Sequence, residues 1–207
     1  MKARIINIKT LKNKTYDELD LGEYYNSILG RIESKTSIFA YGTSGSGKSV
    51  FTLKRSNHFA DNVGKAIYCS HEEALKKTIR DRAINFDINS TRLYIGEFID
   101  FDTLVAKIKS NYYRMFIIDS VKYMRFTIDQ LHELNALYRK RKIVTVLVSF
   151  GSAYKKPDCN FDLMHECDIK MFFDKGTVTV DSRYLDTTKK HRLFTPGQTS
   201  GQTSFPF

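Results

Sequence analysis

The sequence predicts an α/β fold in three layers, with a central, mainly parallel sheet and an antiparallel hairpin at one edge. Five apolar runs are short, uninterrupted and rich in β-branched residues, as in strands that are buried on both faces: 37–41, 66–69, 92–95, 115–118 and 144–148. Segments of helical length and period lie between them: 49–59, 72–85, 101–112 and 128–141. Because strands that alternate with helices need crossover connections, we expect these strands to be parallel.

The pattern changes after the fifth run. Two further strand-like segments, 169–174 and 177–184, flank Lys175-Gly176, which is typical of a hairpin turn. At 207 residues the chain has room for one domain. We expect a core over residues 31–194, preceded by a segment over 1–30 that packs on its own or a neighbouring subunit.

A flexible tail is expected over residues 195–207, because it repeats the tetrapeptide Gly-Gln-Thr-Ser. The tail closes with Phe205-Pro206-Phe207, which is interpreted either as a docking peptide for a protein partner or as a frayed end.

Composition favours a polyanionic partner. The formal net charge is +10, so nucleic acid is the expected ligand, although a merely solvated basic surface remains the alternative. Three scattered cysteines without zinc-site spacing suit a reducing cytoplasm. No apolar stretch approaches the roughly 18 residues that span a bilayer, and the start does not resemble a signal peptide, so a cytoplasmic location without membrane attachment is expected.

The strongest motif follows the first predicted strand. It matches the phosphate-binding pattern G-x-x-x-x-G-K-[ST] at Gly42, Thr43, Ser44, Gly45, Ser46, Gly47, Lys48 and Ser49. Glycines let backbone amides converge on phosphate oxygens, and the helix that follows adds its positive dipole end. Lys48 is expected to contact the β- and γ-phosphates of ATP, and Ser49 to ligate Mg²⁺.

Asp119 ends the apolar run 115–118, which places a carboxylate at the carboxyl end of a central strand beside this loop. It is expected to hold Mg²⁺ together with Ser49. The alternative is that Asp119 only caps the next turn.

Glu72 and Glu73 follow the second predicted strand and are expected to open a helix. A carboxylate here would polarise the water that attacks the γ-phosphate. Acids are also common in the first turn of any helix, where they compensate the helix dipole.

The order of these motifs resembles RecA-like ATPases, most of all bacterial RadA/Sms, and at greater distance KaiC and DnaB-type helicases. The resemblance covers about residues 15–194 and includes the segment Tyr68-Cys69-Ser70-His71-Glu72-Glu73 and the Walker B sequence Phe116-Ile117-Ile118-Asp119-Ser120. It implies a RecA-like three-layer fold and Glu72 as the general base.

The resemblance also implies assembly, because members of this class form hexameric rings or filaments with ATP at the subunit interfaces. Lys190-His191-Arg192 resembles a lysine-asparagine-arginine segment of RadA proteins. Lys190 and Arg192 are therefore expected to reach into the neighbouring subunit's site, the alternative being a solvated basic stretch.

Two loops of such folds touch DNA. Here they contain the candidate nucleic-acid-binding residues Lys122, Tyr123, Arg125, Tyr154, Lys155 and Lys156. Cations neutralise phosphates and tyrosines stack on bases, which favours single-stranded DNA. Ordinary exposed loops have a similar composition.

One residue departs from the family pattern. Phe150 lies where relatives place a polar histidine or glutamine, and phenylalanine cannot hydrogen-bond a γ-phosphate. The leading hypothesis is an ATP-hydrolysing DNA-binding motor in replication, recombination or repair, a minimal core of the kind that a phage encodes. The alternatives are a viral genome-packaging ATPase and a non-catalytic ATP-binding assembly protein, and Phe150 favours the latter.

Overall fold

The computed structural model describes residues 5–137, 143–152, 156–159 and 161–193. Its strands are β1 (Glu18–Leu19), β2 (Ile32–Glu33), β3 (Ser37–Gly42), β4 (Ala66–Ser70), β5 (Leu93–Glu97), β6 (Met115–Asp119), β7 (Val144–Phe150), β8 (Ile169–Asp174), β9 (Thr177–Ser182) and β10 (Lys189–Arg192). Its helices are α1 (Ile8–Lys12), α2 (Gly22–Leu29), α3 (Lys48–Asn62), α4 (Lys77–Asn85), α5 (Phe101–Asn111), α6 (Val121–Met124), α7 (Ile128–Leu137) and α8 (Phe161–Glu166).

Eight of the described strands form one sheet, in the order β10-β9-β8-β3-β7-β6-β4-β5. From β8 to β5 every neighbouring pair is parallel, whereas β9 is antiparallel to both β8 and β10. The predicted α/β class, the mainly parallel sheet and the hairpin are confirmed. The hairpin joins the sheet through β8, and β10, which was not predicted as a strand, forms the edge.

The core lies on both faces of this sheet. Along β3, Ile38 and Ala40 belong to one buried cluster, whereas Phe39 and Tyr41 belong to the other. This alternation is the two-residue period of a strand. Helices α2 and α3 cover the first face, and α5, α7 and α8 cover the second. Three layers follow, and burial on both faces explains the uninterrupted apolar runs.

The N-terminal region divides into two parts. Residues 5–18 are exposed, and α1 buries none of its side chains. From Leu19 onward the chain packs on its own core, where the Tyr25 ring lies 6.2 Å from Phe51 and 4.9 Å from His58. No helix in the described ranges has the length and apolar character needed to cross a membrane.

The prediction that Glu72 and Glu73 open a helix is wrong. Helix α4 begins only at Lys77, and residues 71–76 form turns and bends. The amides of His71 and Glu72 donate to the carbonyl of Asp119 at 2.6 and 3.3 Å, and Ala74 has a φ of 54°, outside the helical region. These bonds hold the turn at the end of the sheet, so compensation of a helix dipole does not explain the two glutamates.

Several predicted features lie outside the described residues. They are the tail over 195–207 with Phe205-Pro206-Phe207, the loop residues Tyr154 and Lys155, and the last part of the helix predicted over 128–141.

Candidate nucleotide-binding site

The phosphate-binding loop connects β3 to α3, as its motif predicts. Gly42 closes β3 and packs so tightly against β8 that an added Cβ would lie 2.0 Å from the carbonyl oxygen of Phe173. Gly47, immediately before α3, has a φ of 96°, in the left-handed region that favours glycine. The loop therefore presents the first amides of a 15-residue helix to the space above the sheet.

Lys48 is held inside this loop and is only 7% exposed. Its Nζ donates to the carbonyl oxygens of Gly42 and Thr43, both at 2.8 Å. Burial lowers the pKa of Lys48, and the charges of Asp119 and Glu72 oppose that shift. An anion in the site would offer the ammonium a stronger partner than two neutral carbonyls.

A cavity of about 340 Å³ opens beside Lys48. This volume falls within the range of about 300–1,000 Å³ that is usual for small-molecule sites. The cavity is lined by Ser44, Gly45, Ser46, Gly47, Lys48, Ser49, Val50, Glu72, Glu73, Arg82, Phe86, Asp119, Ser120, Val148, Ser149 and Phe150. The structure thus brings together most of the phosphate-binding loop with Asp119 and Glu72.

Asp119 closes β6 and is 6% exposed. Burial raises the pKa of Asp119, while hydrogen bonds from the hydroxyls of Tyr68 and Ser49 lower it. No group of three or more His, Cys, Asp or Glu residues in the described ranges could hold a metal ion by itself. The Asp119 carboxylate and the Ser49 hydroxyl nevertheless suit Mg²⁺, because proteins commonly hold this ion with one or two carboxylates and the phosphates of a substrate.

Two buried hydroxyls also fit a phosphate ligand. Ser46 and Ser120 line the cavity, and the buried Oγ atom of neither has a hydrogen-bond partner among the described residues. Buried polar groups without partners cost stability, and phosphate oxygens or metal-bound waters would satisfy these two.

The two adjacent glutamates differ in their contacts. Glu73 accepts two hydrogen bonds from the guanidinium of Arg82, at 2.8 and 3.0 Å. Glu72 lines the same cavity, and its pKa is raised by burial and by the charges of Asp119 and Glu73. Arg82 was not predicted as a site residue, because the spacing of nine positions between Glu73 and Arg82 does not indicate an ion pair when a non-helical turn separates them.

Phe150 lies in the site, at the end of β7. Its ring centroid is 5.5 Å from the Nζ of Lys48. The preceding Ser149 donates its hydroxyl to the carbonyl of Phe150 at 3.0 Å. The aromatic side chain therefore contacts the cation of the phosphate-binding loop where a polar side chain was expected.

Lys190 and Arg192 do not line this cavity. Both are exposed on β10, and β9 and β8 separate that strand from β3. Because alternate residues of a strand face the same side, the two cations lie side by side on one face of the edge strand. His191, between them, points the other way and is half-buried.

The described part of the two candidate nucleic-acid loops is also exposed. Lys122 and Tyr123 lie on α6, Arg125 follows that helix with a φ of 52°, and Lys156 lies after β7. The Nζ of Lys122 is 2.6 Å from Oδ2 of Asp158, so an ion pair joins the two loops.

Comparisons with known proteins agree with this architecture. No family model matches the chain. DNA repair protein RadA from two strains of Helicobacter pylori is 34% and 32% identical over 111 residues, which is 53% of this chain. The matched segment spans only 23% of those relatives. A KaiC-like protein from Pyrococcus horikoshii superimposes with a TM-score of 0.62 over 86% of this chain and 93% of its own, at 14% identity.

Proposed function

This chain has the RecA-like P-loop fold that its motifs predict, and we propose that it is a Mg²⁺-dependent ATPase that works as a motor on DNA. One observation carries the proposal. Lys48 and Ser49 at the start of α3, Glu72 in the turn after β4 and Asp119 at the end of β6 come from three separate segments of the chain, yet all four residues line one cavity at the carboxyl ends of the central strands.

Each of these side chains has a role in phosphoryl transfer. Lys48 would leave the carbonyls of Gly42 and Thr43 to pair with the β- and γ-phosphates. Ser49 and Asp119 would hold Mg²⁺, which, when bound, neutralises charge on the phosphate oxygens. Glu72 would take the proton from the water that attacks the γ-phosphorus as the bond to ADP breaks.

A second copy of the chain would complete the site. Lys190 and Arg192 are exposed on one face of the edge strand, where they are available to a neighbouring subunit. Cations from a neighbour would stabilise the charge that develops on the transferred phosphoryl group. We therefore propose a homo-oligomer, with a hexameric ring as the expected form.

Nucleic acid is the proposed partner of the assembled protein. The net charge of +10 supports a polyanion, and exposed Lys122, Tyr123, Arg125 and Lys156 combine cations with an aromatic ring. The relatives with the matched segment are named for DNA repair, which supports a role in repair. Tyrosine stacks on unpaired bases, so exposed Tyr123 supports single-stranded DNA as the substrate.

The test is the ATPase rate of the purified chain with single-stranded DNA, duplex DNA, RNA and no nucleic acid, together with the mass in solution. We expect single-stranded DNA to stimulate turnover, and Lys48→Ala to lower it by about a hundredfold or more. Lys65→Ala is the matched control, because its ammonium also lies over an aromatic ring, 5.9 Å from the Tyr94 centroid, but outside the cavity.

A non-catalytic assembly protein is the second candidate, because Phe150 occupies a position in the cavity where a polar side chain would contact the γ-phosphate. In that case the chain binds ATP and changes its oligomeric state, but no condition gives turnover. If the wild-type chain binds ATP but releases no phosphate under any of these conditions, the result would favour this second candidate.

A further inference from the structure

We infer that Arg82 is a positioning residue of the hydrolytic site, because it holds Glu73 in a forked ion pair and leaves Glu72 as the carboxylate directed at water. The inference rests on the proposed ATP hydrolysis. Two adjacent glutamates are candidates for the base, and the family resemblance favours Glu72. The ion pair of Arg82 with Glu73 supplies a physical reason for that choice.

The contact between Arg82 and Glu73 is geometrically specific. Each terminal nitrogen of the guanidinium meets one oxygen of the carboxylate, at 3.0 and 2.8 Å. The two side chains are 23% and 26% exposed, so water only partly screens the pair. Two parallel charge-assisted bonds fix the orientation of both groups, which a single bond would not do.

The turn that carries the glutamates depends on such contacts. Residues 71–76 are not helical, so no helical backbone sets the direction of Glu73. Hydrogen bonds hold the turn in place. The backbone amides of His71 and Glu72 donate to the carbonyl of Asp119, and the backbone amide of Leu75 donates to the carboxylate of Glu97. Arg82, on α4, adds two hydrogen bonds to the carboxylate of Glu73 itself.

Charge balance requires the same cation. Glu72, Glu73 and Asp119 line one cavity, and the negative charges of Asp119 and Glu73 work against ionisation of Glu72. Burial alone would lower the pKa of Arg82, but its hydrogen bonds to Glu73 and the charge of Glu73 raise it overall. Arg82 therefore remains a full cation that offsets one of the three carboxylates.

The experiment compares three variants with the wild type: Arg82→Gln, Arg82→Lys, and a double variant that swaps the two charges, Glu73→Arg combined with Arg82→Glu. For each variant, kcat, KM and nucleotide binding are measured separately. A misplaced catalytic group costs up to about a hundredfold, so we expect Arg82→Gln to lower kcat about 10- to 100-fold and to leave KM within about threefold. Lysine lacks the fork and should restore turnover only in part. The swapped pair should regain about tenfold over Arg82→Gln.

The matched control is Arg80→Gln. Arg80 lies on the same helix and also pairs with a carboxylate, at 2.9 Å from Asp81, but its side chain is 66% exposed and does not line the cavity. We expect its kcat and KM to equal those of the wild type.

Three results would overturn the inference. The first is a wild-type kcat in Arg82→Gln. The second is a raised KM with an unchanged kcat in that variant, which would make Arg82 a direct nucleotide contact. The third is a swapped pair that folds but regains no turnover over Arg82→Gln. If Arg82→Gln loses its melting transition, the swapped pair alone decides. A wild type without turnover, or one that is indifferent to Lys48→Ala, overturns the proposed function and this inference with it.

Discussion

The nucleotide cavity and the edge strand β10 carry positive charge in opposite ways. In the cavity, Lys48 and Arg82 are largely buried, and both lie close to carboxylates. On β10, Lys190 and Arg192 are exposed, and neither forms an ion pair with the described residues. The charges of the first arrangement are balanced within one chain, whereas the second presents exposed cations that have no ion-pair partner among the described residues.

The difference has an energetic meaning. Charges act strongly where water is excluded, so buried Lys48 needs no further partner to bind phosphate. Exposed cations are screened by water and salt, and contribute little until another surface covers them. The edge strand would therefore become functional only on assembly.

The largest expected effect tests that division. Lys190→Ala with Arg192→Ala should lower turnover about a thousandfold, which is the scale of an arginine finger, and leave ATP binding by the isolated chain unchanged. Steady-state phosphate release and nucleotide titration measure the two quantities. Lys189→Ala is the control, since it lies on the same strand but faces the opposite side.

Mixed oligomers sharpen this test. Subunits with Lys48→Ala retain the edge cations, and subunits with the edge substitutions retain an intact cavity. Mixing two inactive variants should therefore restore part of the activity. Lack of restoration in oligomers that are shown to contain both variants would mean that the edge strand does not serve a neighbour.

The next effect concerns the cavity alone. Glu72→Gln should lower turnover about a hundredfold, the scale of general base catalysis, while ATP still binds. Glu133→Gln, on the remote helix α7, is a control of the same chemistry. Equal rates for Glu72→Gln and the wild type would assign the base elsewhere.

The pH profile follows from the same residue. Burial, with the charges of Asp119 and Glu73, raises the pKa of Glu72 above the ordinary value of 4.5. Glu72 must be ionised to accept a proton, so turnover should fall as the pH is lowered through this raised pKa. Glu72→Gln should lack that acidic limb, and a limb that persists unchanged belongs to another group.

Asp119→Asn should separate stability from function. Burial raises the pKa of Asp119 above 3.8, so the folded state disfavours its charge near neutral pH. The neutral amide avoids that cost and still accepts from Tyr68, which predicts a higher melting temperature in the absence of nucleotide. Mg²⁺-dependent ATP binding should weaken in the same variant, and a lower melting temperature without nucleotide would contradict this account.

Much of the fold was predictable from sequence because its strands are buried on both faces. The run 115–118 reads as apolar without interruption, and the structure places it in the middle of the sheet as β6. The phosphate-binding loop was predictable for a related reason: the backbone approaches Phe173 so closely at Gly42 that only glycine fits.

Contacts that depend on tertiary position could not be predicted. The turn at 71–76 is held by the carbonyl of Asp119, which is far away in sequence, so the local pattern wrongly predicted a helix. The pairing of Glu73 with Arg82 depends on this turn. The short edge strand β10 consists of polar residues, of which three are exposed and one is half-buried, and no apolar run marks it as a strand.

The smallest expected effect lies at the loops, where charges are exposed as on β10 but already have a partner. The pair of Lys122 and Asp158 is about half exposed, so its net contribution to stability is at most about 1 kcal/mol.

A nucleic-acid phosphate would compete with Asp158 for the same ammonium. Asp158→Asn should therefore raise affinity for single-stranded DNA a few-fold, and Lys122→Ala should lower it and reduce the salt slope by about 1. Fluorescence anisotropy across a salt series measures both, with Asp162→Asn on the neighbouring helix α8 as the control. If Asp158→Asn and Asp162→Asn bind alike, Lys122 is not a phosphate contact, and the loops differ from β10 in having no ligand beyond their own chain.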